Sequence, residues 1–551
     1  MIISVCALAG GLVALAGSSR AGTRLVGDAH FGSHAAGRGS ELELEELGIG
    51  HRRVIFSAPV WDSYLPGLSD PDDARLDPAE PWELDEFLRQ AVSEHFELFV
   101  TLQAMTAEPW GNTAVQEAVA QQTVSGMDLW GTPGMPLVWL RLVSKLVERL
   151  DGDGQHDLDV GAAYRPTAYW QIGNEFQTMY LGNPATPAEA ASLQTDPGRD
   201  AERLDAFLIF HAATREAIRA QDAGARIVSG ALLGLDAMAF VHGRVPESVT
   251  IYPAGFTNVA GCQQNDAASP DPQFELSRAQ LEANPAYLRL AAQCAYAIPL
   301  LAQACDAVDY HDYHAFPFGP GAMAELRAQL GELADLPIVS TENAGPFYGY
   351  SLQAHACSVV KRHLLFLDQG GEIFFWSSMN PTSNWAVNFQ NLALLDCAGE
   401  RRSAPFGAFR EMRSLLLDGA TLVGRPDVHP MMHVFELRAP EREPAVLVFS
   451  LDGSRQEILP RDIPALAGCA QVELSLFSGV GDAGLQAVAK PCDEPLEVEA
   501  DVALLRAVES SEAPDEPGCG CGSMEDRTSP PPGYLLIFGL ALLFSLRSGR
   551  R

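Results

Sequence analysis

The chain has 551 residues, 47% of them hydrophobic, which is too long for one ordinary domain and apolar enough to bury a sizeable core. Its formal net charge of −34 comes without clusters of Lys and Arg, which excludes nucleic acid as a partner and implies solubility and self-repulsion. The ten cysteines form no C-x-x-C pair of metal-binding type, so a zinc-stapled fold is excluded as well.

The first 22 residues, "MIISVCALAGGLVALAGSSRAG", read as an export signal: an apolar run leads into small residues around Ala16 to Ala21, although the usual basic start is missing. From Thr23 onward, short apolar runs alternate with amphipathic stretches. The strand candidates are "TRLVGDAHFG", "RRVIFSA", "ELFVTLQAM", "AYWQIGNE", "ARIVSGALLG", "AVDYHDYH", "PIVSTEN" and "EIFFWSSMN". Each is followed by a predicted helix, over 40–47, 83–95, 137–150, 200–221, 285–304, 322–333, 352–368 and 404–417. In the third of these, Leu137, Leu140, Leu142, Val143, Leu146, Val147 and Leu150 recur at the three- and four-residue spacing of a helix with one buried face. Strand and helix units repeated in this order predict a (β/α)8 TIM barrel over 23–418. A doubly wound sheet fits less well, because no Gly-rich phosphate loop follows the first strand.

Past residue 419 the texture changes to short alternating segments, "MHVFELRA", "AVLVFSLD", "QVELSLFS" and "LEVEADVALLRAV", punctuated by Pro, Gly and Asp. That pattern predicts a small antiparallel β-sandwich over 419–508, with Cys469 and Cys492 as the favoured disulfide inside it. Residues 509–532 are acidic and rich in Pro and Gly, as a linker is, and 533–551 carry the apolar run "YLLIFGLALLFSL" ahead of terminal arginines.

In a TIM barrel the site lies where strands end and βα loops begin. Strand four ends on Asn174 and Glu175; strand seven ends on Glu342. Two carboxylates on one rim are what glycoside hydrolysis needs, and their separation decides between retention and inversion. His311 and Tyr313 close strand six, and Trp376 lies near the end of strand eight. Trp61 and Trp385, in the loops after strands two and eight, read as walls of a sugar cleft, and Trp110 and Trp130 sit in the loop after strand three. Arg52 and Arg53 open strand two instead of ending it, so neither is assigned a role.

With Asn174-Glu175 in "IGNEF" at strand four and Glu342 in "STEN" at strand seven, the region from Thr23 to Leu417 resembles clan A of the glycoside hydrolases. The resemblance implies Glu175 as acid/base, Glu342 as nucleophile and Asn174 as a partner of the sugar 2-hydroxyl. It also implies Tyr313 as a support for the nucleophile, with His311 beside it, and Trp376 as a platform under the sugar. It implies a carbohydrate partner and neither cofactor nor metal. The tail, with Cys519-Gly-Cys521, the hydrophobic segment and the final arginines, resembles the MYXO-CTERM sorting tails of myxobacterial surface proteins, which implies membrane insertion or processing at the cell surface. Two other readings stay open. One is a surface barrel that binds polysaccharide without cutting it, and the other is a metal-dependent hydrolase using His311 and His314.

Overall fold

A computed structural model describes residues 24–508 except for 35–40, 104–134, 176–196, most of 233–284, 314–317, 346–350, 382–389 and a few shorter gaps. The signal-like segment, the linker and the hydrophobic tail lie outside the described residues, as do Trp110, Trp130, His314 and Trp385. Among the described residues no helix is long and apolar enough to cross a membrane.

Eight parallel strands form the barrel: β1 (Phe31–His34), β2 (His51–Ser57), β3 (Glu97–Gln103), β4 (Arg165–Ile172), β5 (Arg226–Val228), β6 (Val308–Asp312), β7 (Ile338–Asn343) and β8 (Gly371–Ser377). Pairing runs from β5 back through β4, β3, β2 and β1 to β8, β7 and β6. Two parallel bridges, Val228 with Ala307 and Leu232 with Tyr310, close the remaining seam. Helices follow the strands in turn: α1 (Glu41–Glu46), α2 (Asp85–Ala91), α3 (Met135–Leu150), α4 (Pro197–Gln221), α5 (Pro285–Ala304), α6 (Phe318–Leu330), α7 (Leu352–Asp368) and α8 (Ser403–Leu415). α5 and α7 occupy the predicted ranges. α7 starts where Ser351 caps it, its hydroxyl accepting from the Ala354 N–H at 3.1 Å. In α3 the buried stripe is as expected except at Leu137, which points into solvent.

Strand alternation explains both faces of the barrel wall. Leu98, Val100, Leu102, Trp170, Ile172, Phe374 and Trp376 face outward into the layer shared with the helices. Phe99, Tyr169, Val228, Val339, Ile373 and Phe375 face inward and plug the barrel with a second apolar cluster. The plug is tight enough to dictate a glycine: a Cβ on Gly32 of β1 would lie 2.4 Å from Cδ1 of Phe375. Gly32→Ala is therefore expected to destabilise by roughly 1–3 kcal/mol through overpacking, read as a lower denaturation midpoint with unchanged m-value.

The predicted first strand divides in two. Phe31–His34 joins the barrel, but Arg24–Val26 pairs antiparallel with Ala420–Gly424 in the second domain. The split follows from Asp28–His30, which forms a 3-10 turn between them. That second sheet continues through Met432–Arg438, Ala445–Ser450, Ala503–Val508, Gln471–Leu476 and Ala487–Pro491, all antiparallel. One face, with Val434, Val446, Val448 and Leu505, packs on Ile463, Leu466 and the short pair Gln456–Ile458 and Leu496–Val498. The other face, with Phe435, Leu437, Leu447, Phe449 and Leu504, belongs to the same core as α7 and α8. Both faces are covered, so Ala445–Ser450 is buried throughout. The Cys469–Cys492 disulfide forms as expected, and a second, Cys262–Cys397, ties the region after β5 to the loop after β8.

Candidate active site

Climbing any inward-facing row, the side chains turn from apolar to polar near the C-terminal rim. On β3 Phe99 is followed by Thr101, on β4 Tyr169 by Gln171, and on β7 Val339 by Thr341; on β6 Asp309, His311 and Tyr313 follow at alternate positions. A closed barrel shields these polar groups from water, so they must satisfy one another.

Arg53 is the hub. Its Nε donates to Thr101 Oγ1 at 2.8 Å and Nη1 donates to Glu342 Oε1 at 2.6 Å and to the Thr341 carbonyl at 3.4 Å. Nη2 donates to Gln171 Oε1 at 2.9 Å and to Asn174 Oδ1 at 2.7 Å. All five N–H donors of the guanidinium are thereby engaged. Sequence reasoning left Arg53 unassigned because it opens its strand, yet its long side chain climbs to the rim. The signal was there in the alternation: Val54 and Phe56 face the helices, which puts Arg53 on the inner face, while Arg52 reaches outward to the carbonyls of Gln90 and Ala91. Replacing Arg53 with Met should cost about 3–5 kcal/mol, because the Glu342 carboxylate would stay buried without its cation. A melting temperature within a degree or two of wild type would contradict this.

Two backbone irregularities aim the carboxylates. Gly173 adopts φ +87°, where a Cβ would also press to 2.9 Å from Phe207, and Glu175 adopts φ 42°, a left-handed conformation that costs a non-glycine residue about 1–3 kcal/mol. This turn brings Asn174 and Glu175 to the mouth together. In β7 the register slips between Val339 and Glu342, which pair with Asp309 and His311 of β6. The bulge lets two consecutive residues face inward: Thr341 bonds Asp309, and Glu342 bonds Arg53.

Glu342 is buried, with Arg53 donating to Oε1 and the Tyr313 hydroxyl donating to Oε2 at 2.5 Å. Burial and the Glu342 charge push the Tyr313 phenol well above its ordinary range, so it remains a donor. Its hydroxyl also lies 3.1 Å from Ser377 Oγ on β8. Glu175, whose side chain is 23% exposed, meets His311 instead: Nδ1 lies 2.8 Å from Glu175 Oε1 and 3.7 Å from Glu342 Oε2. Burial opposes a charge on His311, but Glu342, Glu175 and Asp309 outweigh it and hold the imidazole above its usual range. Ligand-type atoms of Glu175, His311 and Glu342 all lie within 4.8 Å of one another. That grouping would suit a cation by distance, yet the Arg53 guanidinium already supplies the positive charge on Glu342. A second acidic group, Asp151, Asp153 and Asp157, sits in a surface turn after α3.

Asn174, Glu175, His311, Tyr313 and Glu342 are thus brought together. The aromatic expectations are corrected. Trp376 faces outward and is 1% exposed; its Nε1 donates to the Leu392 carbonyl at 3.0 Å and its ring stacks on His355 and His363. Alternation is the reason, since Phe375 and Ser377 take the inner positions of β8. Trp61 is 3% exposed and packs against Trp139 of α3, with ring centroids 5.3 Å apart, and edge-on to Phe56. It belongs to the wall of the core, not to a cleft. Trp385 lies outside the described residues.

No protein-family model matches the sequence, and no curated protein does either. Among solved structures the chain is similar to a glucosidase from Croceicoccus marinus (11% identity over 88% of this chain and 96% of that one, TM-score 0.45). It is similar to a family 39 glycoside hydrolase from Bacteroides cellulosilyticus WH2 (11% identity, 88% and 81%, TM-score 0.48). An α-L-arabinofuranosidase from Thermotoga maritima is similar to the same degree (10% identity, 88% and 96%, TM-score 0.43). Likenesses this distant carry no weight for the chemistry, for which the geometry of the rim is the ground.

Proposed function

We propose that the protein is a retaining glycoside hydrolase, in which Glu342 attacks the anomeric carbon and Glu175 protonates the departing oxygen. The observation that carries this is the close approach of two carboxylates with different partners: an oxygen of Glu175 and one of Glu342 lie within 4.8 Å of each other. Retaining enzymes keep their carboxyl groups about 5–5.5 Å apart, whereas inversion needs about 6.5–9.5 Å to admit a water. Glu342 has the surroundings of a nucleophile, since a cation and a phenol hold it ionised and aimed. Glu175 has those of an acid/base, since it contacts a titratable imidazole and is the more exposed of the two.

Asn174 fits the role of holding the sugar 2-hydroxyl. Arg53 takes its Oδ1, which leaves Nδ2 as the end that donates to a ligand. A barrel that only bound polysaccharide would carry the desolvation cost of two neighbouring carboxylates for no return. A panel of nitrophenyl glycosides followed by NMR tests the reading. At least one should be hydrolysed, with the product anomer of the substrate's own configuration appearing first. First appearance of the opposite anomer would overturn retention.

A further inference from the structure

Beneath the two carboxylates a chain of hydrogen bonds runs into the barrel and ends on a third, Asp309, which double displacement does not use. The links share one consistent set of directions. Arg53 Nη2 and the Thr101 hydroxyl both donate to Gln171 Oε1, at 2.9 and 2.6 Å, so Gln171 turns its Nε2 toward Asp309 Oδ2 and donates there. Asp309 Oδ1 accepts the Thr341 N–H at 2.9 Å. Burial pushes the Asp309 carboxyl above its usual range while His311, Arg53 and the Thr341 donors pull the other way; with an N–H on each oxygen it is received as a carboxylate, and the Thr341 hydroxyl donates its only hydrogen to Oδ2 at 2.5 Å. Thr341 Oγ1 also lies 3.0 Å from His311 Nε2, and toward that nitrogen it has only a lone pair to offer. Nε2 must then carry a hydrogen.

The geometry points to Asp309 and Thr341 as positioning residues that fix the tautomer of His311, so that Nδ1 is the nitrogen that exchanges a proton with Glu175. The use of that proton on a sugar rests on the proposed function; the tautomer does not. Among the described residues, the groups facing the imidazole include Glu175 from the end of β4, Glu342 and Thr341 from β7, and Asp309 and Tyr313 from β6, with Arg53 behind Glu342. In the first half-reaction one proton leaves the Glu175–His311 pair for the departing sugar oxygen. The stripped pair then sets an Nδ1 lone pair against a carboxylate oxygen 2.8 Å away, a repulsive contact. It is relieved when the water that attacks the ester on Glu342 returns a proton to the pair and adds its hydroxyl to the sugar. Fixing Nε2–H therefore makes the pair a strong base in the second half-reaction.

Imidazole 15N spectra of the whole protein read the tautomer directly. His311 in its neutral form should carry its hydrogen on Nε2; a bare Nε2 with hydrogen on Nδ1 would overturn the proposal without any variant. Thr341→Val keeps the shape and removes the acceptor. Neutral His311 should then shift toward Nδ1–H, which favours ionised Glu175 and moves the basic limb of the kcat/KM profile down by about one pH unit, a tenfold change in equilibrium. Thr341→Ser should restore both. A folded Thr341→Val with an unmoved tautomer and limb, or equal shifts in Val and Ser, would refute the role. If Thr341→Val does not fold, the wild-type spectrum and Thr341→Ser decide. If the wild type hydrolyses no glycoside, the spectrum still judges the tautomer, and only the proposed function falls.

Discussion

Glu342→Ala abolishes turnover, and azide restores it on an activated substrate, giving a glycosyl azide of inverted configuration. The loss should be on the order of 10⁵-fold or more, the scale on which removal of a covalent nucleophile registers. Rescue is expected because alanine opens a small space beside the Arg53 guanidinium and the Tyr313 hydroxyl, donors that held the carboxylate. An anion that enters it attacks the anomeric carbon from the same side. The product is stable because the acid/base on the other side has no leaving oxygen to protonate. Mass spectrometry and proton NMR of the product settle the point. An azide of unchanged configuration would place the nucleophile elsewhere, and full activity in Glu342→Ala would remove the double displacement altogether.

The second large effect is selective. In Glu175→Gln the amide cannot give a proton to the departing oxygen, so substrates with poor leaving groups should slow by about 10²–10⁴-fold, the usual contribution of a general acid. Dinitrophenyl glycosides need little protonation and should form the glycosyl enzyme at nearly the wild-type rate. The amide can accept from the Nδ1–H of a charged imidazole or donate its own N–H to the bare Nδ1 of a neutral one, so the rim should hold its shape. Pre-steady-state bursts with dinitrophenyl substrates, compared with steady-state rates for alkyl glycosides, measure the contrast. Equal losses on both would make Glu175 a structural carboxylate.

Strand number, strand order and the two carboxylates were legible because they depend on local patterns: apolar runs of strand length, helices with one apolar stripe, and polar residues at the strand ends. The Tyr313 contact to Glu342 was implied by the resemblance alone, and the Cys469–Cys492 bridge was favoured because both cysteines fall in one small domain. What escaped depends on which way a side chain faces. Barrel strands bury apolar residues on both sides, so the tryptophan of "FFWSS" gives no sign that it faces the helices. The bulge that lets Thr341 and Glu342 face inward together leaves no trace in composition; strict alternation would send one of them out. Arg53 was passed over because its position in the strand was weighed without the length of its side chain. Asp309 and Gln171 lie inside strand candidates with no motif of their own, and their importance rests on long-range hydrogen bonds between strands that local pattern does not carry.

The pairing of Arg24–Val26 with Ala420–Gly424 means that a strand made ahead of the barrel finds its partner only after the barrel's residues have been made. Until residue 424 has been made, that strand must wait beside a barrel already being assembled from the residues between. The two domains also cannot be separated at the boundary suggested by the change of texture near residue 419. A fragment ending there would carry an unpaired edge strand, an invitation to aggregate, and would uncover the apolar faces of α7 and α8. The second sheet is in this sense a clasp, fastened by strands that come before and after the barrel in sequence. Production of the protein in soluble form should depend on keeping 24–508 intact.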